Sequence, residues 1–322
     1  MSKKNMMPLL YERADAAPAL PNFLVVGAAK CGTTSLYYYL KQHPEVYMSP
    51  KKEPGFLSGS ALREGIGPGD ALDVSKAMRS FDDYCILFER SASKKAVGEA
   101  STDTFFQFER TIPAIQHYLG DPCIVIILRD PVKRAYSAYN YLVREGREKM
   151  SFKNALIAEE QRKQDGYLCI WQYEEGGLYA RRVRAFQEHF SRVKVLFYDD
   201  LERDAASLLR TLYAFLGVNP DFVPNIRHRH NISGIPRSAS LNKLFVKPKR
   251  LHKIARTIGG AILGADRWIR LREHLRSVNL QEPPLMDYEI EQQLRQFYRD
   301  DILKLQDYIG KDLSCWLEGK HL

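Results

Sequence analysis

Residues Gly27 to Thr34 read Gly-Ala-Ala-Lys-Cys-Gly-Thr-Thr, between the apolar run Phe23–Gly27 and a helical-looking stretch. A strand, a small-residue loop and a helix in that order turn successive backbone N–H groups and a helix N-terminus towards one point, which attracts a phosphate. The spacing of Gly27 and Gly32 equals that of the nucleoside-triphosphate loop G-x-x-x-x-G-K-[ST], but Thr33 stands where lysine should follow the second glycine. The lysine is inside the loop instead, at Lys30. A kinase or GTPase needs that lysine on the β/γ-phosphates, and a Mg²⁺ held by Ser/Thr and a strand-end acid. The matching run, "CIVIILRDP", ends in Arg129, and its one acid, Asp130, is followed at once by Pro131. The loop therefore suits a shorter anion whose leaving group one lysine can neutralise. Taken alone, it also fits an ordinary strand-to-helix turn with a solvated lysine.

The elements that must position these residues form a rhythm. Short β-branched runs at 23–27, 96–99, 123–128 and 193–198 alternate with longer amphipathic stretches. That pattern predicts an α/β fold, a P-loop-like three-layer sandwich with a central parallel sheet flanked by helices. Helices are expected over 34–42, 131–145, 151–164, 178–190, 205–216 and 288–309, Pro131 suiting a first-turn position. The stretch 58–73 reads as a glycine-rich surface loop. With 322 residues, 45% of them hydrophobic, the chain is read as one domain over 1–322, with a basic helical insertion or lid at 241–284.

Several classes are disfavoured. No apolar run reaches the ~20 residues of a membrane span, and residues 1–21 lack a signal peptide's apolar centre, so a cytoplasmic protein is expected. Five scattered cysteines without C-x-x-C spacing argue against a disulfide framework and a zinc site. Ten Lys/Arg against Asp266 and Glu273 between Lys243 and Arg276 supply +8 of the net +9. The remainder is nearly neutral, so no nucleic-acid partner is expected.

"FLVVGAAKCGTTSLYYYLKQHPEV" resembles the 5′-phosphosulfate loop of sulfotransferases that use 3′-phosphoadenosine 5′-phosphosulfate (PAPS). "IVIILRDPVKRAYSAYNYLVREG" resembles their 3′-phosphate motif, an arginine at a strand end and a serine eight residues on, here Arg129 and Ser137. "GLYARRVRAFQEHF…VKVLFYDDL", "HRHNISGIPRS" and "FYRDDILKLQDYIGKDLSCW" follow in the order of the heparan-sulfate-type branch and its bacterial relatives, so the resemblance covers most of the chain. The physical reading agrees, because a strand-end arginine and a hydroxyl on the next helix can converge on a second phosphate. For Arg129 the plain alternative is a helix-capping salt bridge, and for Ser137 a surface position.

The resemblance implies metal-free transfer of a sulfuryl group from PAPS to a hydroxyl or amine, leaving 3′,5′-ADP. Lys30 would stabilise charge on the bridging oxygen, and backbone amides of Cys31, Gly32, Thr33, Thr34 and Ser35 would hold the 5′-phosphate with the two threonine hydroxyls. Arg129 and Ser137 would hold the 3′-phosphate, while the loop 227–238 with Arg237 closes over the nucleotide. Glu53, in "KKEPGFL", takes the place of the family's base; a solvent-facing turn glutamate is its alternative. His43 is the rival base, or a helix-end structural residue, and His189, His228 and His230 are further candidates. One departure stands out: in "GEASTDTFF" Ala100 replaces an expected second lysine, with Glu99, Ser101 or Thr102 left to line the site. The acceptor would be a carbohydrate, lipid-linked or other small molecule. The segment 243–276 could meet an anionic glycan or the inner membrane face, or be a solvated lid or an oligomer contact. A P-loop kinase using ATP–Mg²⁺ and a non-catalytic nucleotide-binding or membrane-docking protein are the rival readings.

Overall fold

The computed structural model describes residues 20–59, 64–226, 234–238 and 279–319. Five parallel strands form one sheet: β1 (Phe23–Gly27), β2 (Val46–Met48), β3 (Ala96–Ala100), β4 (Cys123–Leu128) and β5 (Val193–Phe197), in the order β2-β3-β1-β4-β5. β1 and β3 are buried along their whole length. Both sheet faces are covered, which is why the runs read as continuously apolar rather than alternating.

The helices are α1 (Thr33–Leu40), α2 (Asp70–Lys76), α3 (Phe81–Ile86), α4 (Thr102–Phe106), α5 (Phe108–Leu119), α6 (Pro131–Arg144), α7 (Phe152–Ile157), α8 (Glu159–Gln164), α9 (Ala180–His189), α10 (Tyr198–Arg203), α11 (Ala205–Leu216), α12 (Tyr288–Ile309) and α13 (Ser314–Glu318). α6 starts as its sequence dictates. Pro131 occupies the first turn and the Asp130 carboxylate accepts from Val132 N (2.9 Å) and Lys133 N (3.3 Å).

β1 lies beside β4 with Val25 opposite Val125. From β1 the chain runs through α1 to the edge strand β2; from β4 it runs through α6 and on to β5 at the other edge. Adjacent central strands whose connections leave in opposite directions open a crevice beyond their carboxyl ends. The loop 27–34 and Arg129 both lie there.

Two expectations on elements need correction, and one strand, β2, was not anticipated. Residues 151–164 form two helices, because Glu159 turns inward and its carboxylate accepts from Glu174 N (2.8 Å) and Glu175 N (3.0 Å). The glycine-rich stretch 58–73 ends as helix, α2 beginning at Asp70 after Gly69 (φ +86°). β2 has three residues, too few for a period-2 pattern to register. Trp171, Tyr173, Tyr179, Tyr37 and Tyr39 are core residues. The basic stretch Lys243–Arg276 lies outside the described residues. Among those described, no helix is long and apolar enough to cross a membrane.

Candidate active site

The loop after β1 is shaped by exclusion. A Cβ on Gly27 would sit 2.4 Å from Phe105 Cβ, and one on Gly32 (φ +95°) would sit 2.7 Å from the Tyr198 ring, so neither position tolerates a side chain. From α6, the buried Arg134 reaches beneath the loop and donates through Nε to Ala29 O (3.3 Å) and through Nη1 to Tyr173 O (2.8 Å). The backbone is thus held before any ligand arrives.

Lys30 adopts φ +70°, and its Nζ lies 4.2 Å from the centre of the Tyr141 ring. Burial, followed by the positive charges of Arg144, Arg134, Arg129 and Lys52, pulls its pKa down to about 7. An anion beside Lys30 restores its proton. Affinity for 3′,5′-ADP should therefore be nearly constant with respect to Lys30 below pH 7 and fall as pH rises above it. Calorimetry at pH 8 in buffers of different ionisation enthalpy should register uptake of up to one proton on binding, absent at pH 6 and in Lys30→Met.

Arg129 stands at the end of β4 with its guanidinium carbon 4.5 Å from the Tyr198 ring centre. Its Nε is buried and finds no partner among the described residues. Asp130 turns away, towards Arg295 (3.6 Å) and the start of α6. That orientation removes the helix-capping salt bridge as an account of Arg129, and it removes Asp130 from the cavity where a metal-holding acid would be required. Ser137, two turns into α6, faces the same space. A cavity of about 700 Å³ and an adjoining one of about 200 Å³ share Lys30, Arg129, Ser137 and Tyr141. Lys30, Arg129 and Ser137 therefore border one shared space whose cations and hydroxyl are able to take anionic groups.

Glu53 also lines the larger cavity. Its backbone is left-handed (φ +59°), and its N–H donates to Ala100 O (2.9 Å) at the end of β3. The carboxylate accepts from Thr102 N (2.7 Å) and pairs with Lys52. It is half-buried and aimed inward, unlike a solvent-facing turn glutamate. Glu99 sits behind the cavity wall, wholly buried, its Oε2 without a partner among the described residues. Burial and the nearby Glu53 and Asp103 charges push it up to about 8. Thr102 lines the cavity, whereas Ser101 and Ala100 are buried beneath it.

Gly32, Thr33, Thr34 and Ser35 line the large cavity as expected from the loop, but two site expectations are not met. Cys31 is withdrawn: its N–H donates to Ala28 O (3.3 Å) and its thiol points into the core, 3.7 Å from Tyr179 Oη. Arg237 is exposed on the short ladder between Ile235–Pro236 and Leu280–Gln281 and lines neither cavity; Gly234 reaches the smaller one instead. His43 is remote from both cavities, 2% exposed, with Nδ1 accepting from Glu45 N (3.1 Å) and Nε2 donating to Asn219 O (2.9 Å). His189 bonds Ala185 O (2.8 Å) on the surface of α9, and His228 and His230 lie outside the described residues. Arg134, Tyr141 and Tyr198 were missed in the sequence; the position of Arg134 in "RDPVKRAYS", five residues after Arg129, was the available signal.

Comparison with known proteins gives a consistent picture. A family model described as "Sulfotransferase family" matches residues 21–221. The crystal structure of a sulfotransferase from Alicyclobacillus acidocaldarius is 34% identical, with a TM-score of 0.70 over 92% of this chain and 99% of its own. The membrane-associated sulfotransferase kil1 of Dictyostelium discoideum is 33% identical over 124 residues, 38% of this chain and 23% of that protein. The bifunctional heparan sulfate N-deacetylase/N-sulfotransferase 4 of Mus musculus is 25% identical over 323 residues, 96% of this chain and 32% of that protein. The chain thus spans between 23% and 32% of the length of these two relatives.

Proposed function

The chain belongs to the sulfotransferase family, and on that premise we propose that it moves a sulfuryl group from PAPS to a hydroxyl or amine of a carbohydrate, lipid-linked or other small acceptor. The observation that supports this reading is that Lys30 and residues 32–35 of the loop, Arg129 with Ser137, and Glu53 all line one cavity.

Bound PAPS would supply an activated sulfur whose leaving group is the 5′-phosphate. The backbone of 32–35 and the hydroxyls of Thr33 and Thr34 would hold that phosphate, and Arg129 with Ser137 the 3′-phosphate. A bond would form from sulfur to the acceptor oxygen or nitrogen as the bond from sulfur to the 5′-phosphate oxygen breaks. The acceptor's proton passes to the Glu53 carboxylate and the electron pair leaves on the phosphate oxygen, where the Lys30 ammonium meets the developing charge. A cytoplasmic enzyme, with the basic stretch 243–276 at an anionic membrane face, is the location this reading favours.

Calorimetric titration with 3′,5′-ADP, against ATP with and without Mg²⁺, tests the donor. Binding of 3′,5′-ADP should be tight and independent of Mg²⁺, and Arg129→Ala should weaken it about 10- to 100-fold, the loss of charge-assisted hydrogen bonds to one phosphate. Preference for ATP–Mg²⁺ would return the kinase reading to the lead.

A further inference from the structure

The cavity that holds Lys30 and Glu53 is also walled by Val74 and Ala77 of α2 and its end, by Phe106, and by Leu168 and Ile170. All five are half-buried, with apolar surface still open to the cavity. Met78 N donates to Pro54 O (2.8 Å), which ties the end of α2 to the turn carrying Glu53.

The two apolar walls are locked to each other by one residue. Asp70, 0% exposed, accepts from Gly67 N (3.0 Å), Leu168 N (3.0 Å) and Trp171 Nε1 (2.9 Å), and pairs with Arg147. With its carboxylate saturated by donors from both walls, the gap between α2 and 168–170 is set before an acceptor arrives.

The cations around this gap are already engaged. Lys76 pairs with Asp73 (3.2 Å), Arg147 with Asp70 and Asp73, and Lys52 with Glu53. The Lys51 ammonium is drawn back to the carbonyl of Lys76 and lies 3.1 Å from Met78 Sδ. Among the described residues, a polyanionic chain would meet few cations at this gap that lack a carboxylate partner, Lys51 being one that does. Apolar surface, by contrast, gains roughly 25 cal/mol for each Å² removed from water.

Resting on the sulfuryl-transfer reading above, we infer that the acceptor is an uncharged alcohol with an apolar body, which lies between α2 and residues 168–170 while its hydroxyl faces Glu53. The oxygen–sulfur bond forms at that hydroxyl, its proton goes to Glu53, and 3′,5′-ADP departs with the electron pair.

The test is a homologous series of 1-alkanols, butanol to octanol, titrated into the full chain saturated with 3′,5′-ADP. Affinity should rise about three- to fourfold per added methylene, the transfer free energy of one CH₂, and alkyl sulfate formation from PAPS should follow the same order. Ile170→Asp should cut octanol affinity at least tenfold and leave 3′,5′-ADP affinity, which also reports a folded site, unchanged. Alkanol binding that ignores chain length, or a heparan-type oligosaccharide that binds more tightly than octanol, overturns the inference even where 3′,5′-ADP binds as expected. Failure of the wild-type chain to bind 3′,5′-ADP overturns the donor reading, and the inference with it.

Discussion

Replacing Lys30 by alanine is expected to lower kcat by about 10²–10³-fold, the cost of losing one preorganised donor at a developing oxyanion, while 3′,5′-ADP affinity at pH 7 falls by about tenfold at most. The two properties separate for an electrostatic reason. In the free protein Lys30 is enclosed beside Arg144, Arg134, Arg129 and Lys52, which together with burial hold its pKa down to about 7. At pH 7 about half of the free protein lacks the Lys30 proton, so part of the attraction to the nucleotide goes into taking that proton up, and losing the side chain costs less affinity than losing a permanently charged lysine would. The leaving oxygen has no such compensation, because its charge appears only in the transition state. Single-turnover kinetics with calorimetry on the same preparation would decide the matter. Equal losses in rate and affinity would make Lys30 a binding residue only.

Glu53→Gln carries the second large effect, a drop of about 10²–10⁴-fold in turnover, the range for removal of a positioned general base. Glutamine retains an oxygen that can accept from Thr102 N, so the turn and the left-handed backbone at position 53 persist. The ability to take a proton is lost, together with the charge that pairs with Lys52. Binding of 3′,5′-ADP should be unchanged, and the burst of product in a rapid-quench experiment should disappear. Retention of a third or more of the activity would exclude Glu53 as the base and point to Asp103, which lines the same cavity. A nucleotide-binding protein without catalytic function would instead show no acceptor-dependent release of 3′,5′-ADP in either the parent or the variant.

The parts of the fold and site that were legible in the sequence are short in chain distance. β1 coincides with its apolar run and β4 with "CIVIIL", and α6 begins where Asp130 and Pro131 place it. The anion loop is contiguous, so its glycines, its lysine and the following helix could be read together. The break at Ala158 was not legible, because it answers to Glu174 and Glu175 some 15 residues further on. Arg237 was misplaced for a similar reason: its backbone is committed to Asn279 (2.7 Å), a partner that spacing alone does not reveal.

Local pattern therefore determined the parallel sheet, the strand, loop and helix around Lys30, and the placing of Arg129 at the end of β4 and Ser137 on α6. Each depends on backbone periodicity and on residues within one or two turns of each other. Tertiary structure decided which charges remain available: Asp130 turned from the cavity, His43 absorbed by Asn219 and Glu45, Arg129 Nε left without a partner among the described residues, and Asp70 joining two walls about a hundred residues apart. Charge and hydrogen bonding act through distance and burial in space, and those are fixed only when the chain has closed on itself.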